Sequence, residues 1–175
     1  SVPFSRSVPG LVYLRVLDLH FVLLLGLAVF SWSRGPLAWI LVLAMIPAPL
    51  ALYRGQGRLS HRLQNRTGRA SEFLKDTLKG LPATSRRFWR TWLWTGVNWS
   101  IKILVLAWIL RTFALMPFLW ALLGTTTGEL SSVLPFHGLA GAGTYEAGIL
   151  ASLVPLGVDM ESALRGAVNL HLFVL

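Results

Sequence analysis

The feature that most constrains this chain is a series of apolar stretches that carry few charges. Four of them approach or exceed the length of a membrane span, at residues 11–32, 37–53, 92–113 and 116–134. A helix needs roughly 20 apolar residues to cross the hydrocarbon core of a bilayer. We therefore expect these stretches to be membrane-spanning helices.

The composition excludes an ordinary water-soluble domain. Hydrophobic residues make up 54% of the 175 residues and charged residues only 13%, about half the roughly 25% that is typical of globular chains. A soluble fold of this length would leave much of its apolar surface in water. The chain has no cysteine, so disulfides and thiolate metal sites are excluded. The prediction is an all-α, polytopic membrane protein.

The C-terminal part departs from simple spans. The stretch at 146–156 has only the length of a half-helix, about 15 Å at 1.5 Å per residue. Asp159 is placed to cap a last helix over residues 160–175. The first residue is Ser1 and the chain stops within an apolar run. We therefore expect a single transmembrane domain over residues 1–175 that is a fragment of a longer protein.

Basic residues concentrate in one segment, residues 54–90. It holds ten of the sixteen Lys and Arg residues against two acidic ones, a local charge of +8. The positive-inside rule accounts for this segment as a cytoplasmic loop between spans. That explanation is favoured over a specific anionic-lipid or nucleic-acid site, and no nucleic-acid partner is expected. Apolar residues at helical spacing within 70–81 predict a short amphipathic helix on the inner leaflet.

Two local patterns in the first spans carry structural predictions. Arg15 and Asp18 are spaced i, i+3 on a helix and are expected to pair with each other as structural residues. Pro47 and Pro49 lie late in the second span, where they predict a kink or a frayed last turn.

Polar side chains inside the predicted spans are the first candidates for function, because each is costly at mid-bilayer unless it is paired or hydrated. Lys102 and Arg111 are expected to snorkel to the interface or to pair with an acid such as Asp18 or Glu129. Glu129 follows three threonines at residues 125–127. For the threonines, close helix packing and a polar site are equally good explanations.

A second polar cluster follows the fourth span and is rich in glycine. Three glycines within six residues release the backbone from regular structure, which membrane depth tolerates only where protein or water covers the backbone. Half-helices beside such a break point their N-terminal dipoles into the gap, which suits an anionic group such as phosphate. We expect broken, re-entrant helices around residues 135–156. The cluster consists of Pro135, His137, Gly138, Gly141, Gly143 and Glu146.

The spacing within this cluster excludes several familiar sites. The glycines lack the preceding strand of a dinucleotide fingerprint, no Lys-Ser/Thr pair completes a Walker loop, and His137 and Glu146 lack zincin spacing. No cofactor and no metal is therefore expected. His137 and His171 have the chemistry of a proton relay, although a satisfied helix-terminal or interfacial residue is the slightly favoured interpretation of each.

Three segments of the chain follow one another in a characteristic order. They are the run at 15–19, the Asn98-Trp99 pair with Lys102, and the glycine-rich turn at 134–146 with the Leu-Gly-Val that follows it at 156–158. Together they resemble the membrane domain of the lysylphosphatidylglycerol synthase/flippase-like family. The turn departs from the commoner family form because it carries His137 and spreads its glycines, so the substrate of other members is not carried over.

The resemblance implies a multi-pass protein of the bacterial inner membrane that moves a lipid between leaflets. The expected partners are an anionic membrane lipid or a lipid-linked glycan, with a glycosyl- or aminoacyltransferase as a further candidate. The alternatives are an intramembrane enzyme that uses His137 and Glu146 as acid and base, and a scaffold for lipid-modifying enzymes. No catalytic residue is assigned. The expected substrate-binding residues are Pro135, His137, Gly138, Gly141, Gly143, Glu146, Glu129, Lys102 and Arg111.

Overall fold

The structure is a computed structural model that describes the backbone of residues 4–133 and 143–175, and the side chains of 8–32, 34–133 and 143–175. No strand occurs in these ranges, and the predicted all-helical fold is confirmed. The helices are α1 Phe4–Arg34, α2 Ala38–Met45, α3 Ala48–Leu63, α4 Arg69–Lys79, α5 Ser85–Ala114, α6 Phe118–Val133, α7 Thr144–Leu153 and α8 Met160–Val174.

Two helices are long and apolar enough to cross a bilayer. They contain the stretches Val8–Trp32 in α1 and Ser85–Ala114 in α5, and the bent pair of α2 and α3 counts as a third if it is one span. Only 28% of the apolar window in α1, and the same share in α5, is buried inside the protein. The remaining apolar side chains face outwards, as a lipid environment requires. The chain is a polytopic membrane protein.

The segment predicted as the second span contains a bend. The axes of α2 and α3 differ by 46°, and the break falls at Pro47, which precedes the first residue of α3. Pro49 lies in the first turn of α3, where the missing proline N–H has no intrahelical partner to lose. The last turn does not fray, because α3 continues to Leu63, well into the segment expected to be a loop.

The basic segment is docked on the bundle. Its helix α4 lies where a helix was predicted, and it packs against the start of α1 and against α3. Gly80, directly after α4, approaches the carbonyl oxygen of Pro9 so closely that a Cβ atom would clash with it. Thr77 and Leu78 are buried by this packing. The segment is therefore fixed against α1 over much of its length.

The long helices form a bundle with alternating directions. Tyr13 packs near Phe88 at the start of both helices, and Val22 packs near Ile103 further along, so α1 and α5 run in the same direction. Helix α6 returns antiparallel to α5 after the turn at Leu115, a residue in the left-handed conformation. Helices α7 and α8 complete the bundle against α5 and α6.

Helices α6 and α7 approach each other closely at Gly128 and Gly148, which form a glycine seam between them. A Cβ atom on Gly148 would lie 2.7 Å from the carbonyl oxygen of Thr127, and one on Gly128 would lie 2.9 Å from Ile149. The hydroxyl groups of Thr127 and Ser152 are 2.9 Å apart across the same seam. Tyr145 at the start of α7 contacts Glu129 late in α6, and Leu153 at the end of α7 packs against Gly124 earlier in α6, so the two helices are antiparallel. The glycine-rich break predicted to follow α6 lies in residues 134–142, outside the described residues.

The connection from α7 to α8 is short and well capped. Gly157 has a φ of +89°, which glycine adopts without strain, and the Asp159 carboxylate accepts a hydrogen bond from the Ser162 amide at 3.0 Å. This is the N-cap arrangement that the sequence predicts. Hydrogen bonds from Ser162 lower the pKa of the Asp159 carboxyl.

Candidate functional site

The carboxylate of Glu129 is the centre of a polar cluster inside the bundle. Its side chain is 1% exposed, and its Oε2 atom lies 2.6 Å from Nζ of Lys102 on α5. Ser132 adds a longer hydrogen bond to the same oxygen at 3.4 Å. A buried carboxylate is tolerated only where it is paired and hydrogen-bonded. The ion pair with Lys102 is therefore the contact that allows α6 to carry an acid here.

Lys102 is the accessible member of this pair. Its side chain is 38% exposed, and its ammonium group lies 4.8 Å from the ring centroid of Trp99, a cation–π distance. The Trp99 indole N–H donates to Asp18 of α1 at 2.8 Å. Asp18 in turn lies 3.8 Å from Arg15. Polar contacts therefore run without interruption from α1 through α5 to α6.

Helix α7 reaches the cluster through its first turn. The Tyr145 hydroxyl donates to Oε1 of Glu129 at 3.3 Å. The Tyr145 ring stacks on the imidazole of His171 of α8, with 4.7 Å between the ring centroids. Both residues are buried. Tyr145 therefore connects Glu129 to α8 by a hydrogen bond at one end and a stacked ring at the other.

Glu146 binds groups on both sides of the start of α7. Its Oε1 atom lies 2.7 Å from Nδ1 of His171, and its Oε2 atom accepts a hydrogen bond from the Gly143 amide at 2.8 Å. Gly143 has a φ of +84°, which disfavours residues with a Cβ atom. The acid thus closes the N-terminus of α7 with its own side chain.

Counted along the helices, the cluster lies at about half the thickness of a hydrocarbon core from one end of the bundle. Lys102 is twelve residues before Ala114, Glu129 is eleven after Phe118, and His171 is eleven after Met160. At 1.5 Å per residue these positions are about 17 Å from the same end of the bundle, where the α5–α6 turn and the start of α8 line a common cavity. Half of a hydrocarbon core of about 30 Å is close to that depth.

The structure brings together several of the residues expected to form the site. Lys102 meets Glu129 directly, and Tyr145 with His171 links Glu129 to Glu146 and so to Gly143. Arg111 does not join them. It is exposed near the far end of α5, about 13 Å along the helix from Lys102. The remaining predicted site residues, Pro135, His137, Gly138 and Gly141, lie outside the described residues.

Sequence reasoning missed the aromatic members of this cluster. Tyr145 was not singled out, because a tyrosine beside apolar residues is a common core residue. Trp99 was noted for the resemblance, without a role for its N–H. His171 lies in the last turn of α8 and is paired, which agrees with a satisfied helix-terminal residue, and it is also buried beside an acid, which the sequence does not indicate. The available signal was the depth, because Lys102, Glu129 and His171 all lie eleven or twelve residues from a turn.

The three segments that carry the resemblance meet in this cluster. Asp18 of the first contacts Trp99 of the second, and Lys102 of the second contacts Glu129, to which Tyr145 of the third is bonded. No curated protein and no solved structure matches the chain. The family model described as the lysylphosphatidylglycerol synthase TM region matches residues 1–175, the whole chain. The chain therefore belongs to the lysylphosphatidylglycerol synthase transmembrane-region family.

Proposed function

We propose that this membrane domain moves an anionic lipid or a lipid-linked glycan between the leaflets of the bacterial inner membrane. The observation that supports this proposal most directly is the Lys102–Glu129 pair at mid-depth. Its acid is buried and its base is partly exposed. A charged pair at this depth is costly to maintain, and its exposed cation is the natural contact for a phosphate that passes through the hydrocarbon region.

In the proposed transport, Lys102 exchanges its partner Glu129 for the phosphate of the lipid headgroup. A headgroup phosphate that reaches Lys102 competes with Glu129 for the ammonium group. Glu129 is then left to accept a proton or a cationic part of the headgroup, because a bare buried carboxylate is unfavourable. Glu146 holds the Gly143 amide and His171 at the same level. These contacts supply a second acid, which the N-terminus of α7 and His171 hold in place.

Reconstituted vesicles with a headgroup-labelled phosphatidylglycerol test the proposal. A membrane-impermeant quencher reports how fast the label changes leaflet. We expect Lys102→Met combined with Glu129→Gln to slow the exchange by about ten-fold or more, since both ends of one charged contact are lost. Arg58→Gln, which removes an exposed charge from α3, is the matched control and keeps the wild-type rate. Equal rates in all three proteins would remove this pair from the transport step.

The glycine turn is tested in the same vesicles. Glu146→Gln combined with Gly143→Leu removes the acid that closes α7 and places a Cβ atom where φ is +84°. We expect slower exchange in this variant. Unchanged exchange would remove the start of α7 from the proposed path, while leaving the Lys102–Glu129 pair to be judged on its own variants.

The second candidate function is an intramembrane enzyme. It is favoured by the 2.7 Å contact between Glu146 and His171, which has the geometry of a general acid–base pair. Mass spectrometry of lipid extracts distinguishes the two functions. A covalent lipid product that disappears in His137→Ala or in His171→Ala supports an enzyme. Movement of a label between leaflets with no new product supports transport.

The orientation and the protein partner are part of the same proposal. The basic segment, with the exposed positive face of α3 and α4, is placed on the cytoplasmic side by the positive-inside rule. A glycosyl- or aminoacyltransferase is the partner expected on that side. Cysteine substituted at Arg62, which is exposed, reports the orientation by its reaction with an impermeant maleimide in whole cells.

A further inference from the structure

We propose that a cavity between the starts of α1 and α5 binds the headgroup of an anionic glycerophospholipid from the leaflet on the basic side. This proposal does not depend on lipid movement through the protein, because the cavity is remote from the mid-depth cluster. The positive-inside rule alone would explain the charge of the basic segment at 54–90. The proposal assigns a specific ligand to two of its residues, Arg87 and Arg90.

The cavity has a volume of about 640 Å³ and lies where α4 ends beside α1. The contact of Gly80 with Pro9 closes the cavity on one side. Two arginines from the first turns of α5 line it, and no acidic side chain is among the described residues that do so. The main lining residues are Leu11, Tyr13, Leu14, Pro82, Arg87 and Arg90.

The depth of the arginines matches the headgroup level. Arg90 and Arg87 precede Lys102 by twelve and fifteen residues on one continuous helix. That separation is about 18–22 Å along α5. Since Lys102 lies near the middle of a core about 30 Å thick, the arginines lie just beyond the hydrocarbon, where lipid phosphates are found. Trp89 and Trp94, both exposed between these levels, are the aromatic residues typical of such an interface.

The two arginines are available for a ligand, unlike the lysines of the neighbouring cavity. A cavity between α3 and α4 is lined by Lys75 and Lys79. Lys75 already donates to the Arg66 carbonyl oxygen at 2.9 Å, and Lys79 already pairs with Asp76 at 3.0 Å. Arg87 and Arg90 make no ion pair with any described residue. Paired guanidinium groups are the side chains best suited to a phosphodiester.

The remaining walls match the rest of a lipid. Leu11 and Leu14 are 56% and 41% exposed on the α1 side of the cavity, and their apolar side chains suit acyl chains that descend from the headgroup. Tyr13 is 4% exposed, and its hydroxyl has no hydrogen-bond partner among the described residues. Because that oxygen is buried as well, it is not a contact for a headgroup in the cavity. The apolar walls favour a lipid over free phosphate.

Native mass spectrometry of the detergent-purified protein tests this site with three probes: dioleoylphosphatidylglycerol, dioleoylphosphatidylcholine and glycerol 3-phosphate. We expect phosphatidylglycerol to be retained, and its affinity to fall by about ten-fold or more in Arg87→Gln/Arg90→Gln, since two charge-assisted bonds are lost. The control Arg58→Gln/Arg62→Gln removes the same charge from exposed positions outside the cavity. It should bind phosphatidylglycerol as the wild type does.

Several results would overturn the proposal. An equal loss in both double variants would show non-specific attraction to the basic side, and no loss in either would show that the arginines bind no headgroup. Glycerol 3-phosphate binding as tightly as the lipid would identify a soluble phosphate ligand instead. Tyr13→Phe is a further control, because it leaves all charges in place and removes a hydroxyl that is buried, and it should retain phosphatidylglycerol as the wild type does. Unfolding of each variant is followed by near-UV circular dichroism, so that loss of the fold is not read as loss of the site.

Discussion

The phenol ring of Tyr145 stacks on the imidazole of His171, with 4.7 Å between the centroids and 30° between the planes. The Tyr145 hydroxyl bonds to Glu129, while His171 contacts Glu146. The two acids of the mid-depth cluster are therefore connected through a pair of aromatic rings. A change in the charge of either acid alters the environment of both rings, which makes the four residues one electrostatic unit.

The Lys102–Glu129 pair is expected to be asymmetric in its effect on stability. Lys102→Met leaves a buried carboxylate without its cation and should lower the free energy of unfolding by about 3 kcal/mol. Glu129→Gln keeps an amide oxygen as an acceptor for a lysine that is 38% exposed and lies over the Trp99 ring, so a loss of about 1 kcal/mol is expected. Unfolding in mixed detergent micelles measures both values.

The double variant Lys102→Met/Glu129→Gln provides the control for this prediction. It buries no unpaired charge, so its stability should lie close to that of the wild type. Losses that simply add in the double variant would show that the two side chains do not interact energetically.

Tyr145→Phe removes one hydroxyl and keeps the stacked ring. We expect a loss of about 1 kcal/mol, because Glu129 loses a hydrogen-bond donor in a buried position. Tyr53→Phe is the matched control, since Tyr53 stacks on Phe88 at 4.6 Å. Thermal unfolding in detergent measures the stability of both variants. A Tyr145→Phe protein as stable as the Tyr53→Phe protein would mean that the 3.3 Å contact contributes nothing.

The glycine seam between α6 and α7 predicts opposite effects for two identical substitutions. Gly148→Ala brings a Cβ atom within 2.7 Å of the Thr127 carbonyl oxygen, and forcing the helices apart should cost about 1–3 kcal/mol. Gly55→Ala in α3 meets no atom within 4 Å and should stabilise the helix by about 0.5–1 kcal/mol. Melting temperatures that move in the same direction for both variants would contradict this account of the seam.

The cap of α8 predicts a dependence of stability on pH. Because hydrogen bonds from Ser162 lower the folded-state pKa of Asp159, its contribution is present above the ordinary carboxyl pKa of about 4. The contribution is lost as the pH falls through the lowered folded-state value. At neutral pH, Asp159→Ala should therefore melt below the wild type, and the difference should shrink in acid. Asp159→Asn keeps a capping oxygen and should show no such titration; a titration retained by it would point to another acid.

Much of the fold was predictable because lipid imposes strong rules on sequence. The apolar stretches at 11–32 and 92–113 identify α1 and α5, since few other structures need such runs. The amphipathic spacing at 70–81 identifies α4. The extension of α3 to Leu63 was missed, because Arg and Gln residues are good helix formers as well as loop residues. Charge alone does not distinguish these two roles.

The candidate site was predictable as a set of residues and not as a set of contacts. Depth and polarity single out Lys102 and Glu129, but Asp18 was an equally suitable partner for Lys102. The choice depends on the rotation of α5 about its axis, which Trp99 fixes by bonding Asp18 itself. Tyr145 has no unusual local pattern, so its role follows only from the antiparallel packing of α7 on α6.

Helix α5 carries two groups of basic residues along one continuous helix. Arg87 and Arg90 stand near its first turns and Lys102 stands twelve to fifteen residues on, and the glycine between them, Gly96, lies within the continuous helix and packs against the ring of Phe21. The length of α5 is therefore fixed, and the distance from the two arginines to Lys102 does not change when the bundle tilts. In the proposed transport, a headgroup that leaves Arg87 and Arg90 would cover some 20 Å before it reaches Lys102, so any rearrangement that assists it has to come from the helices around α5.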